Sequence, residues 1–445
     1  MINPNERLTK VAVLGAAGKM GSGITLLALM EMARLSLLPE NRGKTYSLHA
    51  IDVSPQALNG MMQYLKAQVM RQAERQIVTL RKVYSEREDL VENHDIVQQY
   101  VWDVLRLVVT GTRLEGAFDA GCVFEAVSES PGLKISLMKN IREGSEETPW
   151  FFTNTSSIPI AELDREAGLN GNIVGLHFYN PPAVQKLVEI AAGENTRPEL
   201  SEMAHHLAKA FGKKVAVSAD VPGFIGNGHF MRDLIYGITQ AEILGEEMPL
   251  THGIYMVNTV TQDFLLRPMG IFQLADYVGI DVCRHILEVM APHFPKEPLH
   301  SKLLDSMFAR GILGGQHADG SQKPGFFRYV KGQPADVYDL NRRDYFPLEP
   351  IRKNCRQGLG PLPAAHIPWK AVIAHPQKES HLKTYFDELK KLESPGALLA
   401  LSYLERSRDI AFQLVEQGVV ESPEVVNLVL ETGFFHPYGP VNDYF

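Results

Sequence analysis

Three cysteines in 445 residues (Cys122, Cys283 and Cys355) lie too far apart for a disulfide framework or paired metal-ligand spacing. Such scarcity fits a reducing cytoplasm, and no metal is expected. No run of Lys or Arg is sustained and the formal net charge is -8. That surface would repel a nucleic-acid backbone, so DNA and RNA are not expected as partners. The longest apolar stretch, residues 24–38, is broken by Glu31 and Arg34 and is too short to cross a bilayer. It reads as a buried helix, and no membrane association is expected. Residues 1–10 are polar and lack the apolar core of a signal peptide. What is present is the 45% hydrophobic and 22% charged balance of a globular protein, long enough for two or three domains.

The order of local signals along the chain gives the architecture. Residues 9–14 alternate and then turn apolar, as a buried parallel strand does, and a glycine-rich turn and a helix from Ser22 follow. A second strand, 46–51, ends at Asp52; from there to Gly121 the apolar spacing is helical. Further strands are expected at 122–127, 150–153, 173–177, 186–191 and 214–217. Strands alternating with helices imply a doubly wound α/β sheet over residues 1–220. After Asp220 the strand signals stop. Residues 221–330 read as a helical domain, 331–394 as linker and extended segment, and 395–445 as a partial second helical copy. The stretch from 310 to 370, including 314–320 and 360–363, is rich in Gly, Pro and Arg and reads as loop. The duplication rests on Arg267-Pro-Met-Gly270 and His436-Pro-Tyr-Gly439, whose prolines stand 169 residues apart (437 − 268). Ser402 falls where the alignment of the copies puts Asn227, so the second copy carries no equivalent asparagine.

Gly15-Ala-Ala-Gly18-Lys19-Met20-Gly21 lies between a strand and a helix, the context of a dinucleotide-binding turn. Glycine lets the backbone approach a pyrophosphate, and the helix N-terminus supplies unpaired N–H groups. Asp52, ending the second strand, can accept hydrogen bonds from both ribose hydroxyls and would repel a 2'-phosphate, which favours NAD over NADP. The alternative for Asp52 is a helix N-cap, a role open equally to Ser54.

Asn154-Thr-Ser156-Ser157 follows one strand, and the residues 175–181, Gly-Leu-His-Phe-Tyr-Asn-Pro, begin in another. Lys186-Leu-Val-Glu189 lies on the next. A histidine and a glutamate on successive extended segments can be brought side by side, and the carboxylate would orient the imidazole as a base for a hydroxyl proton. These motifs, with Phe124–Glu129, Pro222–Asn227, residues 268–279 and Lys323–Tyr329, stand in the order and spacing of the 3-hydroxyacyl-CoA dehydrogenases. The chain resembles the longer members of that family from Val11 to Gly439. The resemblance implies a Rossmann-type NAD domain followed by an all-α region with a duplicated helical domain. It implies NAD as cofactor and an acyl-CoA as small-molecule substrate. His177 would be the base and Glu189 its orienting partner. Ser156 and Asn227 would hydrogen-bond the substrate, and Glu129, Lys134, Asn154 and Asn180 would line the cofactor. Ser157 competes with Ser156 for that role, and Asn227 can also be read as a helix N-cap.

The chain departs from the family pattern in three places. The glycine turn is one residue longer than the common form. Pro131 and Gly132 follow Glu129, although Glu129 and Lys134 keep the family spacing. The family's coenzyme A-contacting lysine has no match near Met62 and Gln63, with Lys66, Arg71 and Arg75 nearby. A free hydroxy acid, a sugar acid or a carnitine-like molecule is therefore the alternative substrate. An inactive NAD-binding relative is the alternative of another class, and the intact His177, Glu189, Ser156 and Asn227 argue against it. In shorter members the helical domain pairs across a dimer, so a homodimer stays open.

Overall fold

A computed structural model describes residues 4–317 and 320–445; Ala318 and Asp319, inside the 314–320 stretch expected as loop, lie outside the described residues. The chain divides between Asp220 and Val221 into two units, each with its own apolar cluster.

The first unit opens with a short helix, α1 (Pro4–Arg7), and β1 (Lys10–Leu14). Four consecutive residues of β1 are buried, as in a parallel strand covered on both faces. Then come α2 (Gly21–Ser36), β2 (Ser47–Ile51), α3 (Pro55–Arg75), α4 (Ile77–Val83) and α5 (Asn93–Leu105). Next are β3 (Val108–Gly111), β4 (Cys122–Glu125), α6 (Pro131–Gly144) and β5 (Trp150–Thr153). The unit closes with α7 (Ile160–Ala167), β6 (Ile173–Phe178), β7 (Leu187–Ala191), α8 (Pro198–Ala210) and β8 (Lys214–Ser218). Eight strands form one sheet in the order β3-β2-β1-β4-β5-β6-β7-β8. β1 pairs in parallel with both β2 and β4, so the order reverses there, and the crevice beyond the strand C-termini at such a point is where α/β sheets bind ligands. β7 runs against its neighbour β6, and β8 follows β7 in parallel.

One strand was not expected. β3 lies inside the stretch read as helical; it is four residues long, at the sheet edge, and Val109 is exposed, so it has neither length nor a continuous apolar run to announce it.

The second unit is built on α9 (Gly226–Leu244), α10 (Leu250–Thr259), α11 (Ile271–Val278), α12 (Ile280–Met290) and α13 (Lys302–Ala309). After these the stretch expected as loop and linker holds a three-stranded antiparallel sheet, β9 (Phe327–Val330), β10 (Gln333–Asp339) and β11 (Asp344–Pro347). It is followed by α14 (Glu349–Leu359), α15 (Trp369–Ile373) and α16 (Lys378–Leu389). Lys331 and Gly332, both at positive φ, make the tight turn between β9 and β10, and the glycine that read as a loop marker is a hairpin residue. Asp276 anchors this segment: its carboxylate accepts the N–H groups of Phe326 and Phe327 at 2.5 and 2.9 Å and the Tyr329 hydroxyl at 2.8 Å.

The last helices are α17 (Pro395–Glu416) and α18 (Pro423–Gly433). Leu266 and Phe435, each just before its Arg-Pro or His-Pro, both adopt left-handed φ, +52° and +58°. A Cβ on Gly270 would strike Asn258, and one on Gly439 would strike Asn427. Both pairs are offset by the same 169 positions (Asn258 to Asn427, Gly270 to Gly439). α17 packs on α9, with Ser402 Oγ 2.6 Å from the Tyr236 hydroxyl and Ser407 Oγ 3.0 Å from His229 Nε2.

His229 is 2% exposed, and burial pushes its imidazole down to about 4 against the pull of Asp233. Above pH ~6.5 the folded and unfolded chains both carry it neutral. As pH falls from there toward 4, the unfolded chain takes up a proton that the folded chain refuses, and stability drops by up to ~3 kcal/mol. Denaturant midpoints at pH 7, 5.5 and 4 should show this loss in the wild type and a shallower one in His229→Gln. Equal slopes would remove His229 from the acid response.

Candidate active site

The glycine turn leaves β1 and enters α2 with no room for side chains. Gly15 sits at φ +69°, and a Cβ there would come 2.7 Å from the Ala126 carbonyl oxygen; one on Gly21 would run into the Gly15 carbonyl. Gly18 and Lys19 are exposed, and Met20 is half-buried at the N-cap position of α2. Ser54 caps α3, accepting from Ala57 N–H, so Asp52 is not needed there. Asp52 reaches back to the turn instead: Oδ2 accepts the Ala17 N–H at 3.0 Å and Oδ1 the Ser54 N–H at 3.3 Å. The long gap before Asp52 is taken up by a 3₁₀ turn, Pro39–Asn41, and the following loop. Beside the turn is a cavity of about 360 Å³, walled by Gly15, Asp52, Val53, Thr112, Leu114 and Leu133 among others. Val53, 93% exposed, and Thr112, Leu114 and Leu133 were not expected at the site; no local motif marks them, because three chain segments supply them.

Glu129 holds the Asn154–Ser157 loop. One oxygen, Oε1, accepts from Thr155 Oγ1 (2.7 Å), from Ser156 N–H (2.8 Å), and from Ser157 N–H and Oγ (both 3.0 Å). Burial acts to raise this carboxyl, but the Lys134 charge and these donors outweigh it and hold it down to about 2. Lys134, expected to line the cofactor, is 1% exposed and lies between two carboxylates: 2.8 Å from both Glu125 oxygens and 3.2 Å from Glu129. Glu125, which the sequence reading did not single out, also accepts from Thr153 Oγ1 at 2.6 Å. Ser157 is fully buried and Ser156 half-buried. Asn154 Oδ1 accepts the Phe178 N–H at 2.8 Å, tying this loop to the end of β6.

The antiparallel register of β6 and β7 sets His177 directly opposite Glu189. A one-residue slip would turn their side chains to opposite faces. In register, His177 Nδ1 lies 2.8 Å from Glu189 Oε2, with the glutamate fully buried and the histidine nearly so. Asn180 opens the turn between the two strands, through a cis peptide to Pro181. Lys213 ties that turn down, bonding the carbonyls of Pro182 and Gln185, and Pro182 packs on Gly23 in the first turn of α2. Neither Lys213 nor Tyr179, whose hydroxyl also reaches Glu189, was singled out from sequence. In the second unit Asn227 is the second residue of α9, half-buried; Ile225 holds the N-cap position, so the capping alternative for Asn227 falls away. Among the described residues no cluster of three or more His, Cys, Asp or Glu could hold a metal ion.

A strand–glycine turn–helix followed by a strand that ends on an acidic residue marks a dinucleotide-binding α/β fold, and the same unit holds a buried histidine–carboxylate pair. The family profile described as 3-hydroxyacyl-CoA dehydrogenase, NAD binding domain, matches residues 10–221, and that for the C-terminal domain of the same family matches residues 251–323. The chain belongs to the 3-hydroxyacyl-CoA dehydrogenase family of NAD-dependent oxidoreductases. A probable 3-hydroxybutyryl-CoA dehydrogenase of Bacillus subtilis is 28% identical over 306 residues, covering 67% of this chain and 88% of that protein. One of Deinococcus radiodurans, under the same description, is 30% identical over 213 residues, covering 48% and 74%. The solved structure of 3-hydroxybutyryl-CoA dehydrogenase from Escherichia coli K12 shares the fold at a TM-score of 0.62 and 20% identity, covering 97% of this chain and 90% of its own. No described helix is long and apolar enough to cross a membrane.

Proposed function

We propose that this chain oxidises the 3-hydroxyl of a 3-hydroxyacyl-CoA to the 3-ketone, with NAD as the hydride acceptor. The observation that carries this reading is the 2.8 Å contact between His177 Nδ1 and buried Glu189 in the unit that also holds the glycine turn. Glu189 takes the Nδ1 proton as a hydrogen bond and so leaves the Nε2 lone pair to remove the substrate hydroxyl proton. The glycine turn and the N-terminus of α2 would hold the NAD pyrophosphate, and Asp52 the ribose hydroxyls. The cofactor, when bound, supplies the acceptor for the hydride leaving the carbinol carbon. Glu129, Asn154 and Asn180 would line the nicotinamide side, with Lys134 acting through Glu129. Ser156, more exposed than Ser157, and Asn227 would hydrogen-bond the substrate oxygen.

Residues 395–445 are taken as a partial second copy of 221–330, supported by the shared left-handed turn and by the matching asparagine–glycine contacts. Residues 331–394 then join the copies. The coenzyme A end is the less anchored part: Met62 and Gln63 stand where the family has its lysine, while Lys66, Arg71 and Arg75 are exposed on α3. That substitution keeps a free hydroxy acid as the second reading.

A panel of 3-hydroxyacyl-CoAs and the matching free acids, each with NAD and NADP, tests both. NADH formation is expected with 3-hydroxybutyryl-CoA and not with 3-hydroxybutyrate. NADP should be at least ~10-fold weaker, because Asp52 would face its 2'-phosphate with like charge. Asp52→Ala should lose that discrimination. Turnover of the free acids alone would move the substrate to the second reading, and equal use of both cofactors would sink the role given to Asp52.

A further inference from the structure

Glu189 Oε2 is shared. It takes His177 Nδ1 at 2.8 Å and also accepts the hydroxyl of Tyr179 at 3.1 Å. His177 and Tyr179 are two positions apart at the end of β6, so both side chains leave on one face, with ring centroids 5.3 Å apart. Burial, and then the charge of Glu189, push the Tyr179 phenol well above its ordinary range, so it remains a proton donor throughout the working pH range.

We propose that Tyr179 is a positioning residue that moderates the His177 base by competing with it for the same carboxylate oxygen. This inference rests on the reading of His177 as the base. A hydroxyl donated to a carboxylate stabilises its negative charge and draws that charge away from the imidazole. Glu189 then steadies protonated His177 less than it would without Tyr179. Other ionisable groups near this pair have their own partners. Asp220, past the end of β8, caps α7 through the N–H groups of Ile160 and Ala161. Glu129 and Lys134 bond each other across the Asn154–Ser157 loop. Lys213 bonds the 181–185 turn, with Lys186 beside it. α8 turns apolar residues, Leu200, Met203, Ala204 and Leu207, toward the sheet. Within the pair, Tyr179 is the group that can be removed without deleting the base or its carboxylate.

The test is the pH dependence of kcat/KM for 3-hydroxybutyryl-CoA at saturating NAD, in the wild type, Tyr179→Phe and Tyr179→Leu. Both variants should move the acid limb to higher pH by about half a unit, roughly a threefold loss of kcat/KM on that limb, with the plateau near wild type. The same shift should appear in the NMR titration of the His177 ring, assigned by its absence in His177→Ala. Superimposable profiles and titrations for Tyr179→Phe would overturn the proposal. A shift in Tyr179→Leu alone would overturn it too, since that would make the ring, and not the hydroxyl, the active part. If His177→Ala keeps its turnover, the base assignment itself fails, an outcome distinct from either of these.

Discussion

His177→Ala should lower turnover about 10²–10⁴-fold, the usual contribution of a positioned general base, while NAD affinity stays close to wild type. Glu189→Gln should fall in the same direction. Its amide can still meet the ring, but it carries no charge to steady the imidazolium formed as the hydroxyl proton is taken. The contact is built by strand register and not by a flexible loop, so neither substitution gives the other residue a new partner. Turnover by the variants, set beside NAD binding followed by titration, separates chemistry from cofactor affinity. Near-normal turnover in His177→Ala would place the base elsewhere, and in Glu189→Gln it would end the role given to the pair.

Lys134→Met is expected to have the second large effect, on stability first. Glu125 is fully buried and Glu129 largely so, and the Lys134 ammonium lies between them. Removing the cation leaves two carboxylates in a low-dielectric site with no compensating charge, and breaking a buried pair in this way costs about 3–5 kcal/mol. Glu129 also bonds Thr155, Ser156 and Ser157, so the loop carrying the proposed substrate contact should loosen and turnover should fall as well. Lys134→Met with Glu125→Gln should recover part of the lost stability, since one of the stranded charges is gone. The denaturant midpoint measures this. An unchanged midpoint in the single variant would mean that the triad contributes little, and the recovery in the double variant would then have nothing to restore.

Much of the fold was legible along the chain. β1 reads as buried because Val11 to Leu14 are apolar in a row, and the glycine turn reads as a turn because Gly15, Gly18 and Gly21 stand between a strand and a helix; the structure adds that Gly15 and Gly21 have no space for a Cβ. Elements without a local signature were missed. β3 is short, and Val109 is exposed on it. β9 to β11 lie in a stretch whose Gly and Pro content resembles loop; the sheet there closes through a two-residue turn at Lys331-Gly332 and is held by Asp276, some 50 residues back in the chain.

The site divides along the same line. Sequence alone determined which residue types stand at the strand ends: the glycines after β1, Asp52 after β2, the serines after β5, His177 on β6 and Glu189 on β7. Those positions follow from backbone sterics and hydrophobic period, which act over a few residues. Only the tertiary structure decided how those groups are paired. It set His177 and Glu189 in opposed register and gave Asp52 to the glycine turn while Ser54 took the cap. It also buried Lys134 between Glu125 and Glu129, and left Ser156 more open than Ser157. Pairing is decided there because a buried charge or polar group is stable only beside its partner, and that partner is set by which strands and loops pack together, not by the residues adjacent in sequence.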